Sequence, residues 1–216
     1  MGITERRERE REQRRQTIID AAEKIFFSKG IEAATMDEIA EAAELSKGTL
    51  YLYFKSREDL YFAVTKRGLD ILSVLFQEAF DAHQTGIEKV RAIGKSYCTF
   101  AHDYPDYFKA QIYFGAHAAD VDIASDYAQS CAEQGEIVLN ILADALQCGI
   151  EDGSIRKDLN PKKTAIILWG TTRGVLQFSF IWSKHMNAKF DVFGFKSLND
   201  IIEEAFDLIG YSLATR

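Results

Sequence analysis

Along almost the whole chain, apolar residues return at the three- and four-residue spacing of an α-helix, and this constrains the fold more than any other feature. Ile18, Ala22, Ile25 and Phe26 line one helical face, with Gly30 as its stop. Leu60, Val64, Leu72, Leu75 and Phe76 line another, and Val90, Ile93, Tyr97 and Phe100 a third. Further stripes follow through Phe108, Ile112 and Tyr113, and through Cys131, Gly135, Val138, Leu142 and Leu146. The two prolines, Pro105 and Pro161, both stand where a first helical turn tolerates a missing amide. No alternating stretch exceeds a few residues, so strands are not expected. An all-α chain of about nine helices is expected.

With 216 residues, 47% hydrophobic and 27% charged, the chain can bury a sizeable core and has the balance of a soluble globular protein. Cys98, Cys131 and Cys148 are odd in number and lack CxxC spacing, which argues against a disulfide framework or a structural zinc and fits a reducing compartment. The charged N-terminus does not read as a signal peptide, and a cytoplasmic location is expected. Thr164–Ser183 is long enough to span a bilayer, but Arg173 sits at its middle, so it reads as a buried helix. The net charge of −7 excludes a diffuse nucleic-acid coat. A local basic site survives: Arg6, Arg7, Arg9, Arg11, Arg14 and Arg15 outnumber Glu8, Glu10 and Glu12. That arm fits an anionic partner at one end of the molecule, or a solvated helix start that pairs its own charges.

The functional signal lies in residues 35–55. Thr35-Met36-Asp37-Glu38 has the pattern of a capping box, and Ser46 is a second cap eleven residues on. Two short helices joined by Ala43-Glu44-Leu45 have the length and turn of a helix-turn-helix. If Leu50 and Phe54 are buried, Lys47, Thr49, Tyr51 and Tyr53 fall on other faces. Lysine and threonine can reach base edges or phosphates, and tyrosine hydroxyls suit phosphate oxygens. Gly48 lets the backbone approach DNA closely, and Lys55 adds a cation at the next junction.

The run TIIDAAEKIFFSKGIEAATMDEIAEAAELSKGTLYLYFKSREDLYFAV, Thr17–Val64, resembles the DNA-binding domain of TetR/AcrR-type transcriptional repressors. The resemblance rests on A-A-x-x-x-F, the glycine before the capping box, and S-K-G-T-L-Y-x-Y-F-K-S. It implies an all-helical homodimer that binds an operator in double-stranded DNA and is released by a small ligand in a C-terminal domain. It further implies that Thr35, Met36, Ser46, Lys47, Gly48, Thr49, Tyr51, Tyr53 and Lys55 stand at DNA-contacting positions. The family's turn usually carries glycine where this chain has Glu44, which implies a left-handed residue at a cost of about 1 kcal/mol. The implied division is an arm and DNA-binding domain over residues 1–56 and a ligand-binding and dimerisation domain over 57–216.

Beyond residue 64 the resemblance specifies architecture only. Ile166, Gly170, Gly174 and Phe178 form one stripe, and Leu198, Ile202, Ala205 and Ile209 another. Pairing of these two helices with their two-fold mates would make a four-helix interface; alternatively, they close the subunit's own core. Tyr97, Phe100, His102, Tyr113, His117, Trp169, Arg173 and Gln177 are candidate ligand-binding residues, because aromatic walls with a few polar tips build small-molecule sites. Arg173 needs a partner in so apolar a helix: either an internal carboxylate or an acidic ligand. Gly94-Lys95-Ser96 lacks the upstream glycine of a phosphate loop, since position 89 is lysine. His83, His102, His117 and His185 show no metal-ligand spacing. No catalytic set, metal or cofactor is expected, and no membrane partner.

Overall fold

The computed structural model describes residues 2–117, 125–185 and 198–215. Nine helices are described: α1 Ile3–Lys29, α2 Met36–Ala42, α3 Lys47–Tyr53, α4 Arg57–Asp81, α5 Gly86–Asp103, α6 Pro105–His117, α7 Asp126–Asp152, α8 Pro161–His185 and α9 Leu198–Leu213. Among the described residues the only pairing of β type is an isolated bridge between Ile155 and Ala214, so the all-α expectation holds.

The boundaries follow from side chains that satisfy orphan helix-end groups. At α2, Thr35 Oγ1 accepts from the Glu38 amide at 3.3 Å, while the Thr35 amide donates to Glu38 Oε2 at 3.0 Å. Ser46 Oγ accepts from the Thr49 amide at 3.2 Å and starts α3. Asn160 Oδ1 accepts from the Lys163 amide at 3.0 Å and starts α8, with Pro161 in the first turn. Gly30 ends α1 with φ 85°, a conformation that side chains disfavour.

The chain forms two compact units: Met1–Gly68 with Asp106–Gln134, and Leu69–Pro105 with Gly135–Arg216. Neither is one continuous segment. The first unit centres on Ile18, Ala22, Ile39, Leu50, Phe54, Leu60 and Val64, all with no exposed surface. Tyr127 of α7 stacks on Phe54 with ring centroids 4.7 Å apart, and the Tyr61 hydroxyl donates to the Ala110 carbonyl of α6. Arg67 of α4 pairs with Asp20 at 2.6 Å and Glu23 at 3.0 Å, and the Tyr107 hydroxyl donates to Glu23 at 2.6 Å. Helices α1, α4 and α6 of this unit are thus pinned by polar groups as well as by apolar burial.

In the second unit, α5 and α7 approach closely because two glycines meet. A Cβ on Gly86 would lie 2.0 Å from the Gly149 nitrogen. The same crossing gives the start of α5 its caps: the Gly86 amide donates to Asp152 Oδ2 at 2.7 Å, and the Ile87 amide to Ser154 Oγ at 3.1 Å. Hydrogen bonds from Ser154 and from the Gly86 amide hold the Asp152 carboxyl below the usual carboxylate range.

Candidate nucleic-acid interface and effector cavity

Seven residues of helix give α3 one buried side chain, Leu50, and leave most of the others outward. Lys47 and Tyr51, four residues apart, share one exposed face; Gly48 and Leu52 share the next. Nothing stands over Gly48 except the Ser46 hydroxyl at 4.0 Å, so its missing side chain leaves open space outside the protein rather than room for a neighbour. Thr49 is half-buried, and its hydroxyl lies 2.8 Å from that of Ser46. Tyr53 is half-buried against the core, and its carbonyl accepts from the Tyr127 hydroxyl at 3.1 Å. Thr35, Ser46 and Lys55 are exposed, and Met36 packs part-way into the core. Leu52, 78% exposed, is an apolar side chain on this face that the sequence pattern did not single out.

Two features shape the electrostatics of that surface. Lys47 Nζ pairs with Asp37 Oδ1 at 2.6 Å, an exposed contact that raises the lysine pKa and can be exchanged for a stronger anion. Glu44 has φ 56°, the left-handed conformation expected where the turn lacks glycine. The turn around it stays ordered: the Leu45 amide donates to the Ala40 carbonyl at 2.9 Å and closes it.

The second unit contains a cavity of about 390 Å³. Phe76, Tyr97, Leu168, Trp169 and Phe206 make its apolar walls, with Arg91, Thr172 and Asp207 as polar groups. Tyr97 stacks on Trp169 with centroids 4.7 Å apart and planes 17° apart. Gly94 gives the Phe206 ring its place, since a Cβ there would lie 2.7 Å from the ring. Arg91 and Asp207 pair at 3.3 Å between α5 and α9. Burial pushes the Tyr97 phenol up, and the nearby charge of Arg173 opposes that shift.

Residues 18–64 match the model of the tetR family of bacterial regulatory proteins. That segment, the helix-turn-helix and the helix ends that flank it, is what the chain shares with the family. It is 36% identical over 98 residues to the HTH-type transcriptional activator FasR of Mycolicibacterium smegmatis, 45% of either chain. The match thus spans less than half the length of FasR. The chain is 27% identical over 155 residues to the fatty acid metabolism regulator protein of Bacillus subtilis, covering 71% of this chain and 77% of that one. The transcriptional regulator FadR of Bacillus subtilis, solved in complex with stearoyl-CoA, has a TM-score of 0.67 at 20% identity over 91% of this chain and 98% of that one. That likeness shows the fold.

Within this fold, the eight candidate ligand residues are dispersed. Tyr97 and Trp169 line the cavity. Phe100 is fully buried behind Tyr97, and His102 points outward beside Asp103 at 2.7 Å. Arg173 and Gln177 are half-buried and outside the cavity wall. Tyr113 belongs to the other unit, where it lines a smaller space with Phe26, Phe27 and Tyr61. The side chain of His117 lies outside the described residues. The walls that the sequence pattern missed, Ile87, Leu142 and Phe206, carry only an ordinary core signal; their gathering around a cavity is a tertiary fact.

The stripes on α8 and α9 behave differently from each other. Ile166 and Phe178 are 61% and 46% exposed, and a Cβ added at Gly170 or Gly174 would meet nothing within 4 Å. Ile202, Ala205 and Ile209 are half-buried, with Ile209 on the cavity wall, and the Leu198 side chain lies outside the described residues. The exposed apolar residues of α9 are Leu208 and Tyr211, off the expected stripe, and Ile167 extends the exposed face of α8.

Proposed function

We propose that this chain is a transcriptional repressor that binds a partly palindromic operator as a homodimer and lets go when a small molecule fills the cavity of its second unit. The observation that carries the reading is α3 itself: Lys47 and Tyr51 stand outward while Leu50 and Phe54 anchor the helix with no exposed surface. A rigidly held helix with a cation, a phenol and a bare glycine on its outer face suits the major groove. Lys47 and Tyr51 meet base edges or phosphates, with Gly48 at closest approach. Ser46, Thr49, Tyr53 and Lys55, with Thr35 and Met36, complete the contact region. Residues 1–56 then read DNA, and 57–216 hold the effector and the partner subunit, in the cytoplasm where the chromosome lies.

The dimer reading is supported by Ile166, Ile167, Phe178, Leu208 and Tyr211, large apolar side chains left in water on two helices. The open surface at Gly170 and Gly174 lets a second helix approach closely. The effector is read as an acyl chain with an anionic head, because the cavity is apolar and about 390 Å³ and because FadR of Bacillus subtilis holds stearoyl-CoA. Its anionic group is assigned to Arg91, the guanidinium on the cavity wall, with Arg173 as a structural charge. Differential affinity for two states of α4, whose first part belongs to the unit of the DNA motif, would couple the sites.

The test is to sequence the DNA fragments retained by the purified protein and titrate the enriched site. Lys47→Ala should weaken its binding by about 1–3 kcal/mol. Fatty acids and their CoA esters should release the parent from this DNA, and Arg91→Gln should need more ligand while Arg173→Gln does not. A protein that retains no preferred sequence, with Lys47→Ala indistinguishable from the parent, would sink the reading.

A further inference from the structure

Helix α1 begins at Ile3, fifteen residues before the segment that matches the family model. From Glu5 to Thr17 its side chains are exposed or at most half-buried, so no core accounts for its being helical. Its charges are sorted rather than alternated. At 3.6 residues per turn, Arg7, Arg11 and Arg14 fall on one face, while Glu5, Glu8 and Glu12 fall on another. Spacings of four and three bring the arginines together, an arrangement that costs stability in isolation.

Pairing within the arm does not relieve them. Arg6 takes Glu10 at 2.8 Å, and Arg15 takes Glu12 at 3.3 Å. Among the described residues, Arg7, Arg11 and Arg14 have neither an ion pair nor a side-chain hydrogen bond. The self-paired helix start that composition allowed therefore covers only part of the arm.

The arm is also fastened beside the DNA motif. Gln13, Arg14 and Thr17 share a surface depression with Ala43 and Leu45 of the turn. Arg15 lies over the Tyr127 ring, 5.1 Å from its centroid, and its Nε donates to the Tyr127 hydroxyl at 3.3 Å. That hydroxyl donates in turn to the Tyr53 carbonyl at the end of α3. One end of the arginine face thus begins at the turn that precedes α3, and Tyr127 ties Arg15 of the arm to the end of α3.

We propose that Arg7, Arg11 and Arg14 form a second DNA-binding surface, a helical arm that grips backbone phosphates beside the bases met by α3. The inference rests on the DNA-binding reading above and adds a contact outside the family-matched segment. Seven residues of helix span about 10 Å, an axial length of one DNA strand that holds about three phosphates. Three guanidiniums on one face can each take one phosphate, in a contact without sequence preference.

The arm's contribution is read from salt dependence on a labelled random-sequence duplex. Each phosphate contact adds about 0.9 to the slope of log affinity against log salt, so Arg7→Gln/Arg11→Gln/Arg14→Gln should flatten it by about 2.7. Over a fourfold rise in salt the parent should lose about forty-fold more affinity than the variant. The triple lysine variant should keep most of the slope, and Glu5→Gln/Glu8→Gln/Glu12→Gln should not flatten it. The full-length glutamine variant should show unchanged thermal unfolding, since these side chains support no core. A folded variant that binds DNA with the parent's slope overturns the arm alone. A parent that does not bind the duplex at all overturns the DNA reading with it. Loss of binding to vesicles of mixed neutral and anionic phospholipid, without change on DNA, would assign the arm to a membrane surface and also overturn the proposal.

Discussion

The two units of this chain solve different packing problems. In the unit of the DNA motif, Ile18, Ile39, Leu50, Phe54, Leu60 and Val64 lose all their exposure, and short helices are held by caps at Thr35 and Ser46. In the unit of α5 and α8, Tyr97, Trp169 and Phe206 stand around about 390 Å³ of open volume. A filled core fixes one geometry, because interiors packed to crystal density resist small shifts. An apolar cavity leaves dispersion contacts unmade, and an occupant restores them. The contrast teaches where rigidity and where responsiveness are stored, and substitutions can break it from either side.

The largest effect is expected at Phe54, which has no exposed surface and stacks on Tyr127. Phe54→Ala should cost about 3–5 kcal/mol in denaturant unfolding and abolish DNA binding with it. Next comes the glycine crossing of the other unit. Gly86→Ala drives a methyl into the backbone of Gly149 and should cost about 1–3 kcal/mol. Gly94→Ala meets only the Phe206 ring, which can move into the cavity, so it should cost well under that and should change ligand response more than stability. Equal losses at the two glycines would show that the cavity wall is as rigid as the crossing.

A smaller change should come from the turn. Glu44→Gly relieves a left-handed side chain and removes a carboxylate from the DNA motif. Chemical unfolding should find it more stable by about 1 kcal/mol at most, and titration should find it binding DNA more tightly. The smallest concerns Glu38, whose pKa is lowered to about 2, first by its hydrogen bond with Lys29 and then by Thr35. A carboxyl depressed in the folded state adds stability that is complete above its ordinary value of 4.5 and is lost as pH falls through about 2. Glu38→Gln should remove that part of the acid sensitivity, seen as a shallower fall of the thermal midpoint between those values.

Much of the first unit was legible because its signals are local. A capping box needs only four consecutive residues, so Thr35–Glu38 and the start at Ser46 can be read from the chain alone. The left-handed Glu44 was legible as a departure from a pattern that expects glycine. The second unit was legible only as helices. His102 and Trp169 both sit in helical stripes with aromatics, yet His102 faces water and Trp169 faces the cavity. Gly170-x-x-x-Gly174 has the conspicuous spacing, but the glycines that bring two backbones together are Gly86 and Gly149 among the described residues, far apart in sequence.

The sequence by itself determined what depends on neighbours along the chain: the nine helices of the described residues with their caps and stops, a helix-turn-helix with Leu50 and Phe54 inward, and a charged arm ahead of it. Hydrogen bonds and periodicity within about four residues decide those features. Only the tertiary structure decided that Tyr127 anchors both Arg15 and the end of α3, that Arg91 rather than Arg173 lines the cavity, and that Gly86 meets Gly149. Each of these joins residues far apart in the chain or chooses among equivalent helical faces. That choice is made when whole helices pack, since buried area and steric fit between distant segments are not encoded at any single position.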